Sequence, residues 1–325
     1  MEQYLCMDIG GTRIKYGMAD AEGRLLYVRE TDTKAYLGGE ALMERVFGLI
    51  RTELESCRQA TGICISTAGM VDCRQGKIVY ASEFIPGYTG MPIKARLEEQ
   101  FGLPCQVEND VNCAGLAESL AGAGRGSSVC LCLTVGTGIG GALIIDGKVF
   151  HGFCGSAGKA GYMCLGGSDA GRADGRAGGQ RPEEVWEAPG PSFQDLGSAS
   201  ALVRTVQEQK GMRPGSIDGR WVFARAEQGD ADCIRATEGM ADVLGRGIAN
   251  LCYMCNPETV VLGGGIMEQR EYLYPRIRER MNGYLLPFIA ARTRLAMAQL
   301  GNRAGMLGAF YHFRGCQTEQ RQKDG

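Results

Sequence analysis

The chain has 325 residues, 44% of them hydrophobic and 22% charged, and its formal net charge is −2. This length allows two domains with separate cores, and the charge gives no electrostatic reason to expect nucleic acid or an anionic membrane as a partner. No apolar run approaches the ~18 residues of a membrane span, and the first residues lack the basic and apolar regions of a secretion signal. We therefore expect a cytoplasmic protein.

The fourteen cysteines are scattered and lie mostly inside apolar segments, such as Ile63-Cys64-Ile65. This pattern is typical of reduced core thiols rather than of a disulfide framework. The two histidines, His151 and His312, leave little material for zinc chemistry. We expect His151 to be a surface or turn residue.

The first three predicted elements are strands over residues 4–9, 13–19 and 24–30, joined by short turns. The first turn is Gly10-Gly11-Thr12, and Asp8 precedes it. Glycines there allow positive φ and close approach of another group, while Asp and Thr supply a carboxylate and a hydroxyl. The turn therefore suggests a phosphate cradle, although an ordinary hairpin explains the same residues.

The middle of the chain alternates between predicted helices and strands. Apolar residues at helical spacing between Leu42 and Leu54 predict a helix, and residues 63–66 predict a short buried strand. A helix is expected near 93–101, a strand at 105–108, and then a helix to about Leu120. Asn109 or Asp110 can cap that last helix.

A second strand, glycine hairpin and strand begins near Val129, in "CLCLTVGTGIGGALIIDGK", and it echoes the first. This repetition favours two related halves. Residues 166–191 have no hydrophobic period and predict a long loop. Further on, the predicted elements are an apolar helix through Met240–Cys252, a strand in "NPETVVLGGGI", a helix from about Glu268, a strand at 294–298 and a final helix at 303–313.

Six motifs occur in a recognisable order: Asp8-Ile9-Gly10-Gly11-Thr12, "GICISTAGMVD", "VENDVN", "TVGTGIGG", "NPETVVLGGG" and "LGNRAGMLGA". Together they resemble the ROK family (repressor, open reading frame, kinase). The resemblance implies an α/β, actin-like ATPase or sugar-kinase fold, related to ribonuclease H, with two α/β domains around a cleft. We expect domains at 1–120, completed by a helix near 303–315, and at 121–302, followed by a flexible tail at 316–325.

The resemblance further implies an ATP- and Mg²⁺-dependent kinase that phosphorylates a hexose or hexose derivative, at O6, and that forms a homodimer. It places Asp8 at the Mg²⁺ ion and Lys15 near phosphate charge. The residues that it assigns to ATP are Gly10, Gly11 and Thr12 in one phosphate loop, Gly136, Thr137 and Gly138 in the other, and Gly263, Gly264 and Gly265 at the adenosine.

Asp110 is the expected catalytic residue, because a carboxylate can hold the acceptor hydroxyl and take its proton. Asn109 and Gly69 are expected at the sugar. From the residues alone, Asp110 could equally be a helix cap, and the resemblance favours catalysis.

The chain departs from the family in "GFCGSAGKAGYMCLGG" (152–167), where Lys159 replaces a sugar-binding Glu and Tyr162 replaces a His. Only Cys164 follows, so the family's zinc site is expected to be absent. Gln194 falls on another sugar-contacting Glu. One interpretation is a modified hexose, such as an N-acylated amino sugar or a β-glucoside; the other is that Lys159 pairs with a local acid such as Glu183, Glu184 or Asp195.

Two other functions compete with the kinase. A catalytically weak sugar sensor is conceivable because the sugar pocket is altered, but retention of Asn109 and Asp110 argues against it. A transcriptional regulator would carry an amino-terminal helix-turn-helix. We expect none here, because Asp8 already belongs to the phosphate loop.

Overall fold

The computed structural model describes residues 2–57, 59–81, 84–165 and 190–324. Most of the loop expected at 166–191, with Glu183 and Glu184, lies outside these residues. The chain divides into two compact units. Unit 1 comprises Met1–Gly126, Ala142–Ala157 and Gln299–Gly325, and unit 2 comprises Ser127–Gly141 and Gly158–Ala298.

The described residues form the following strands: β1 (Gln3–Ile9), β2 (Arg13–Asp20), β3 (Leu25–Asp32), β4 (Ala60–Thr67), β5 (Met70–Asp72), β6 (Lys77–Tyr80), β7 (Cys105–Asn109), β8 (Val129–Val135), β9 (Ile139–Ile145), β10 (Lys148–Val149), β11 (Thr259–Gly263) and β12 (Arg294–Met297).

The α-helices are α1 (Gly39–Ser56), α2 (Ile93–Phe101), α3 (Asp110–Ala121), α4 (Phe193–Gly197), α5 (Ala199–Lys210), α6 (Gly219–Glu227), α7 (Ala231–Cys255), α8 (Arg270–Tyr284), α9 (Pro287–Ala290) and α10 (Ala304–Asp324). Short 3-10 helices lie at Ala35–Leu37, Ala160–Tyr162, Gly265–Gln269 and Gly301–Arg303.

Two five-stranded sheets share one topology, with strand orders β3-β2-β1-β4-β7 and β10-β9-β8-β11-β12. In the first sheet β1 pairs antiparallel with β2 and parallel with β4, and β7 extends the parallel part. In the second sheet β8 pairs in parallel with β11, and β11 with β12. The repeated strand order confirms the two related halves predicted from the glycine hairpins.

Side chains alternate along β1 and so point to the two faces of the first sheet. Both faces are covered. Leu5, Met7 and Ile9 belong to the cluster that includes Leu42, Val46 and Ile50 of α1. Tyr4 and Cys6 point the other way and pack with residues of α10, notably Phe310 and Phe313. Asp8 has the parity of Tyr4 and Cys6, so the strand period carries its side chain to the face covered by α10.

Unit 2 is built around α7, as its apolar stripe predicts. Met240, Leu244, Ile248 and Cys252 are buried in one cluster with Leu133 of β8. Cys252 is fully buried and all fourteen cysteines are free thiols. This confirms that the cysteines are not a disulfide framework.

The end of the chain differs from the expectation. Helix α10 runs to Asp324, beyond the predicted 303–313, and Lys148 forms an ion pair with Glu319 at 2.6 Å. Helix α10 therefore includes positions 316–324, which the sequence analysis assigned to a tail. Among the described helices, none combines the length and hydropathy required to cross a membrane.

Helix α10 crosses α3 so closely that only glycine fits at position 308. A Cβ there would lie 1.8 Å from the carbonyl oxygen of Cys113. We expect Gly308→Ala to lower the free energy of unfolding by about 1–3 kcal/mol, because the helices must separate. Urea denaturation measures this change.

Gly315→Ala is the matched control, since it lies on the same helix and its Cβ would meet nothing within 4 Å. It is expected to leave stability unchanged or raise it by up to about 1 kcal/mol, as alanine favours helix over glycine. Equal stability of the two variants would contradict the close crossing.

Candidate functional site

The amino terminus of α3 holds the expected catalytic residue. Asn109 is the N-cap, and its Oδ1 accepts hydrogen bonds from the backbone N–H groups of Val111 and Asn112 at 3.2 and 3.3 Å. Asp110 is the first residue of the helix, and its Oδ1 accepts from Asn109 Nδ2 at 2.8 Å and from the Val111 N–H at 2.9 Å. Capping therefore belongs mainly to Asn109, while its amide orients the Asp110 carboxylate.

Gly69 lies beside the amino terminus of α3. The amide of Asn109 donates to its carbonyl oxygen at 2.7 Å. Gly69 has φ +100°, a conformation that glycine adopts readily, and a Cβ would come within 3.1 Å of the Tyr80 carbonyl. The structure thus brings together three of the residues expected at sugar and phosphoryl transfer: Gly69, Asn109 and Asp110.

Asp8 is half-buried beside α10. Ser66 Oγ donates to its carboxylate at 2.6 Å, and a Cβ at Gly305 would lie 2.5 Å from its Cγ. Burial raises the pKa of Asp8, against the opposing effects of the Ser66 hydrogen bond and the charge of Lys15. Ser66 and Gly305 were not singled out by sequence reasoning, although both fall inside motifs that it used.

The first glycine turn is anchored on both sides. The Gly10 N–H donates to the Arg13 carbonyl at 3.0 Å, and Thr33 Oγ1 donates to the Gly10 carbonyl at 2.7 Å. Neither Gly10 nor Gly11 has a left-handed φ, so the conformational reason proposed for them is wrong. Close approach remains possible, since a Cβ at Gly11 would meet nothing within 4 Å.

Two polar side chains lie in or next to the first glycine turn: Thr12 in the turn and Lys15 in β2. Thr12 is exposed. Lys15 Nζ donates to Asn302 Oδ1 at 3.4 Å, which ties β2 to the segment before α10.

The second glycine turn, in unit 2, contains the expected phosphate-loop residues Gly136, Thr137 and Gly138. Its Gly136 N–H donates to the Gly138 carbonyl at 2.9 Å, and Thr137 is exposed. A Cβ at Gly136 would meet nothing within 4 Å, whereas one at Gly138 would lie 2.8 Å from Gln194 Oε1. The turn is therefore open at Gly136 and covered by Gln194 at Gly138.

Gly263 is the last residue of β11, and Gly264 and Gly265 follow it. Gly264 has φ +99°, and a Cβ there would lie 2.2 Å from the carbonyl oxygen of Val135. Gly263 is paired in register with Thr134, and a Cβ at Gly265 would meet nothing within 4 Å. This turn thus lies directly beside the end of β8, where the second glycine turn begins.

Lys159 and Tyr162, which the family resemblance places at the sugar, lie just before and within a 3-10 turn of unit 2. Lys159 precedes Ala160–Tyr162, and Tyr162 is 42% exposed. Gln194 Oε1 would lie 3.0 Å from a Cβ at Gly161, so Gln194 borders this turn as well. Asp195, one suggested partner of Lys159, accepts hydrogen bonds from the backbone N–H and the hydroxyl of Ser192.

Glu108 is a buried carboxylate that sequence reasoning missed. Its Oε1 accepts from the Asn109 N–H at 2.7 Å and from Asn112 Nδ2 at 3.0 Å. Its Oε2 lies 2.6 Å from His151 Nε2 and 3.6 Å from His312 Nδ1. His151 lies outside the helices and strands, is half-buried, and is hydrogen-bonded to Glu108, a partner that the sequence did not indicate.

Glu108, His151 and His312 affect one another's pKa values. Burial alone would raise the pKa of Glu108, but the His151 hydrogen bond and the charges of both histidines lower it to about 2. The hydrogen bond to Glu108 raises the pKa of His151, while burial lowers the pKa of His312. Glu108 is thus held as a carboxylate directly behind Asn109.

The double role of Asn109 can be tested by substitution. Asn109→Ala removes the N-cap acceptor and the bond to Gly69, and we expect it to lower the free energy of unfolding by about 1–2 kcal/mol. Asn109→Ser restores a capping oxygen without reaching Gly69, so it should recover most of that loss. Denaturant titration measures both, and an alanine variant as stable as wild type would contradict the assignment.

Comparison with known proteins gives the family. The family model described as "ROK family" matches residues 4–315. An uncharacterized protein of Clostridium perfringens is 48% identical over 314 residues, covering 97% of this chain and 98% of that protein. A β-glucoside kinase of Klebsiella pneumoniae is 31% identical, with 94% of each chain covered, and a glucokinase of Halalkalibacterium halodurans is 30% identical, with 94% and 93% covered.

Comparison with solved structures gives the same family. A ROK hexokinase from Thermus thermophilus matches with a TM-score of 0.80 and 30% identity over 97% of this chain and 99% of that chain. A ROK family glucokinase from Streptomyces griseus, in complex with glucose and AMPPNP, matches with a TM-score of 0.75 and 28% identity over 94% and 97%. With its two sheets of identical strand order, the chain has the actin-like ATPase fold of sugar kinases and belongs to the ROK family.

Proposed function

We propose that this protein is an ATP-dependent sugar kinase that phosphorylates a primary hydroxyl, O6, of a hexose or hexose derivative. The observation that carries the proposal is the Asp110 carboxylate, oriented by Asn109 at the start of α3 and joined through that residue to Gly69. Relatives of 30% and 31% identity that are a glucokinase and a β-glucoside kinase support the same class of reaction.

Asp110 is the proposed catalytic base. Phosphoryl transfer requires the acceptor hydroxyl to be positioned and to lose its proton as it attacks the γ-phosphorus. Asp110 would accept that proton while the new oxygen–phosphorus bond forms and the bond to the ADP oxygen breaks. Asn109 would hold the carboxylate in place, because its amide is fixed at the same time by Gly69.

The residues proposed for ATP and Mg²⁺ fit those groups. A Cβ at Gly11 or Gly136 would meet nothing within 4 Å, so no side chain obstructs the approach of a phosphate group to the backbone there. Asp8 offers the hard oxygen ligand that Mg²⁺ prefers, and Lys15 adds a positive charge beside it. Mg²⁺ bound with ATP would offset the charge of the phosphates.

The sugar is proposed to be a derivative rather than unmodified glucose. Lys159 can only donate hydrogen bonds, whereas the Glu expected from the family resemblance would accept them. A substituent with acceptor oxygens near C1 or C2, as in an N-acylated amino sugar or a β-glucoside, suits such a donor. Tyr162 and Gln194 are the proposed neighbours of that substituent.

Asp110→Asn tests the catalytic assignment. The amide keeps an oxygen that can accept from Asn109 and Val111, so the helix start is retained while the base is lost. We expect kcat to fall about 10²–10⁴-fold with the KM for ATP nearly unchanged, measured by sugar-dependent release of ADP.

Glu40→Gln is a control, because Glu40 is an exposed carboxylate in the first turn of α1 that forms an ion pair with Arg96. Its turnover should equal that of wild type. Full activity of Asp110→Asn would reject Asp110 as the base. Sugar-dependent thermal stabilisation of wild type without any ADP release would instead indicate a sensor.

Lys159→Glu tests the substrate assignment. We expect wild type to show higher kcat/KM for N-acylated amino sugars or β-glucosides than for glucose, and the variant to shift that ratio toward glucose by about 10-fold or more. Steady-state kinetics over a panel of hexoses measures the ratio. A strong preference of wild type for glucose would reject the modified-sugar proposal and leave the kinase assignment standing.

A further inference from the structure

Both histidines of the chain lie beside one buried carboxylate oxygen. His151 Nε2 is 2.6 Å from Glu108 Oε2, and His312 Nδ1 is 3.6 Å from the same atom. The thiol of Cys73 completes the group, with its Sγ 3.5 Å from His151 Nε2. The ligand atoms of Cys73, Glu108 and His151 all lie within 4.8 Å of one another.

Local structure holds each of these side chains. The Asp72 carboxylate accepts the backbone N–H groups of residues 74 and 75, at 2.9 and 3.2 Å, and so shapes the turn that carries Cys73. Glu108 uses Oε1 for α3 and presents Oε2 to His151. Three separate segments of unit 1 therefore bring a sulfur, an oxygen and a nitrogen atom close together without a bound ligand.

We propose that Cys73, Glu108 and His151 bind a divalent transition-metal ion, of which Zn²⁺ matches the donor set best. Thiolate, imidazole and carboxylate are the three ligand types of protein zinc sites. Tetrahedral zinc separates its ligand atoms by about 3.4–3.6 Å, given its bond lengths, and the Cys73–His151 distance of 3.5 Å already fits. Water would be the fourth ligand.

Binding exchanges protons for the metal. His151 Nε2 and Glu108 Oε2 form a hydrogen bond of 2.6 Å. To coordinate the same metal ion, the two atoms must move apart by about 0.8 Å. The His151 side chain is 33% exposed, which leaves it room to move. The proton shared by His151 and Glu108 and the thiol proton of Cys73 pass to solvent as the metal–nitrogen, metal–oxygen and metal–sulfur bonds form.

A second layer of groups supports the carboxylate. His312 is buried behind Glu108, and its Nε2 lies 3.7 Å from the Sγ of Cys316. Such outer groups orient ligands and tune metal affinity. This site differs from the family's zinc site near Lys159 and Tyr162, which the sequence predicts to be absent, and it does not depend on the proposed kinase activity.

Titration with Co²⁺ tests the site directly. Metal-free, untagged full-length chain is titrated with CoCl₂, and one equivalent is expected to give a thiolate charge-transfer absorption that excess Zn²⁺ abolishes. Cys73→Ser should lose this absorption. His151→Gln should weaken Zn²⁺ binding, measured by equilibrium dialysis, by more than about 100-fold, since it removes a direct ligand.

Cys154→Ser is the matched control, because Cys154 is an exposed cysteine of unit 1 whose thiol lies 3.0 Å from Ser156 Oγ. It should bind both metals as wild type does, and circular dichroism shows that each variant is folded. Absence of the thiolate absorption in wild type at about 1 mM Co²⁺ would overturn the proposal. Retention of the absorption in folded Cys73→Ser, or unchanged Zn²⁺ affinity in folded His151→Gln, would do so as well.

Discussion

The buried carboxylate of Glu108 is the contact on which the candidate catalytic end depends. One of its oxygens receives the Asn109 N–H and the Asn112 amide, and the other faces two histidines. A buried charge is costly unless it is paired and hydrogen-bonded, so these partners stabilise the strand-to-helix junction. The orientation of Asn109, and through it of Asp110, therefore depends on groups that do not themselves contact the proposed substrate.

Glycine serves two different physical purposes in this fold. At Gly69 and Gly264 the backbone has a strongly positive φ, so an L side chain would be strained. At Gly305 and Gly308 the backbone is helical, and the requirement is space, because α10 lies against Asp8 and against the α3 backbone. The open turns at Gly11 and Gly136 belong to neither class. Their lack of side chains leaves room outside the main chain, which is the property that the phosphate proposal uses.

Much of the fold could be predicted because it follows from local pattern. Alternation and turn residues placed β1, β2 and β3, and the 3.6-residue period placed α1 and α7. The contacts of Asp8 with Gly305 and of Glu108 with His151 could not be predicted, since they depend on how distant segments pack. The extension of α10 was missed because its last residues lack an apolar period, although Gln, Glu, Arg and Lys all favour helix. Resemblance to the ROK family, and not periodicity, singled out Asp110 as the expected catalytic residue.

Helix α10 has a consequence for synthesis on the ribosome. Tyr4 packs edge-to-face against Phe310 and Phe313, with ring centroids 5.3 and 5.5 Å apart, so β1 completes its packing only after α10 has been synthesised. Until then the face formed by Tyr4, Cys6 and Cys64 has no cover, and nascent chains carry an apolar surface of the kind that chaperones bind. The amino-terminal half is thus translated early but reaches its native packing only when α10 leaves the exit tunnel.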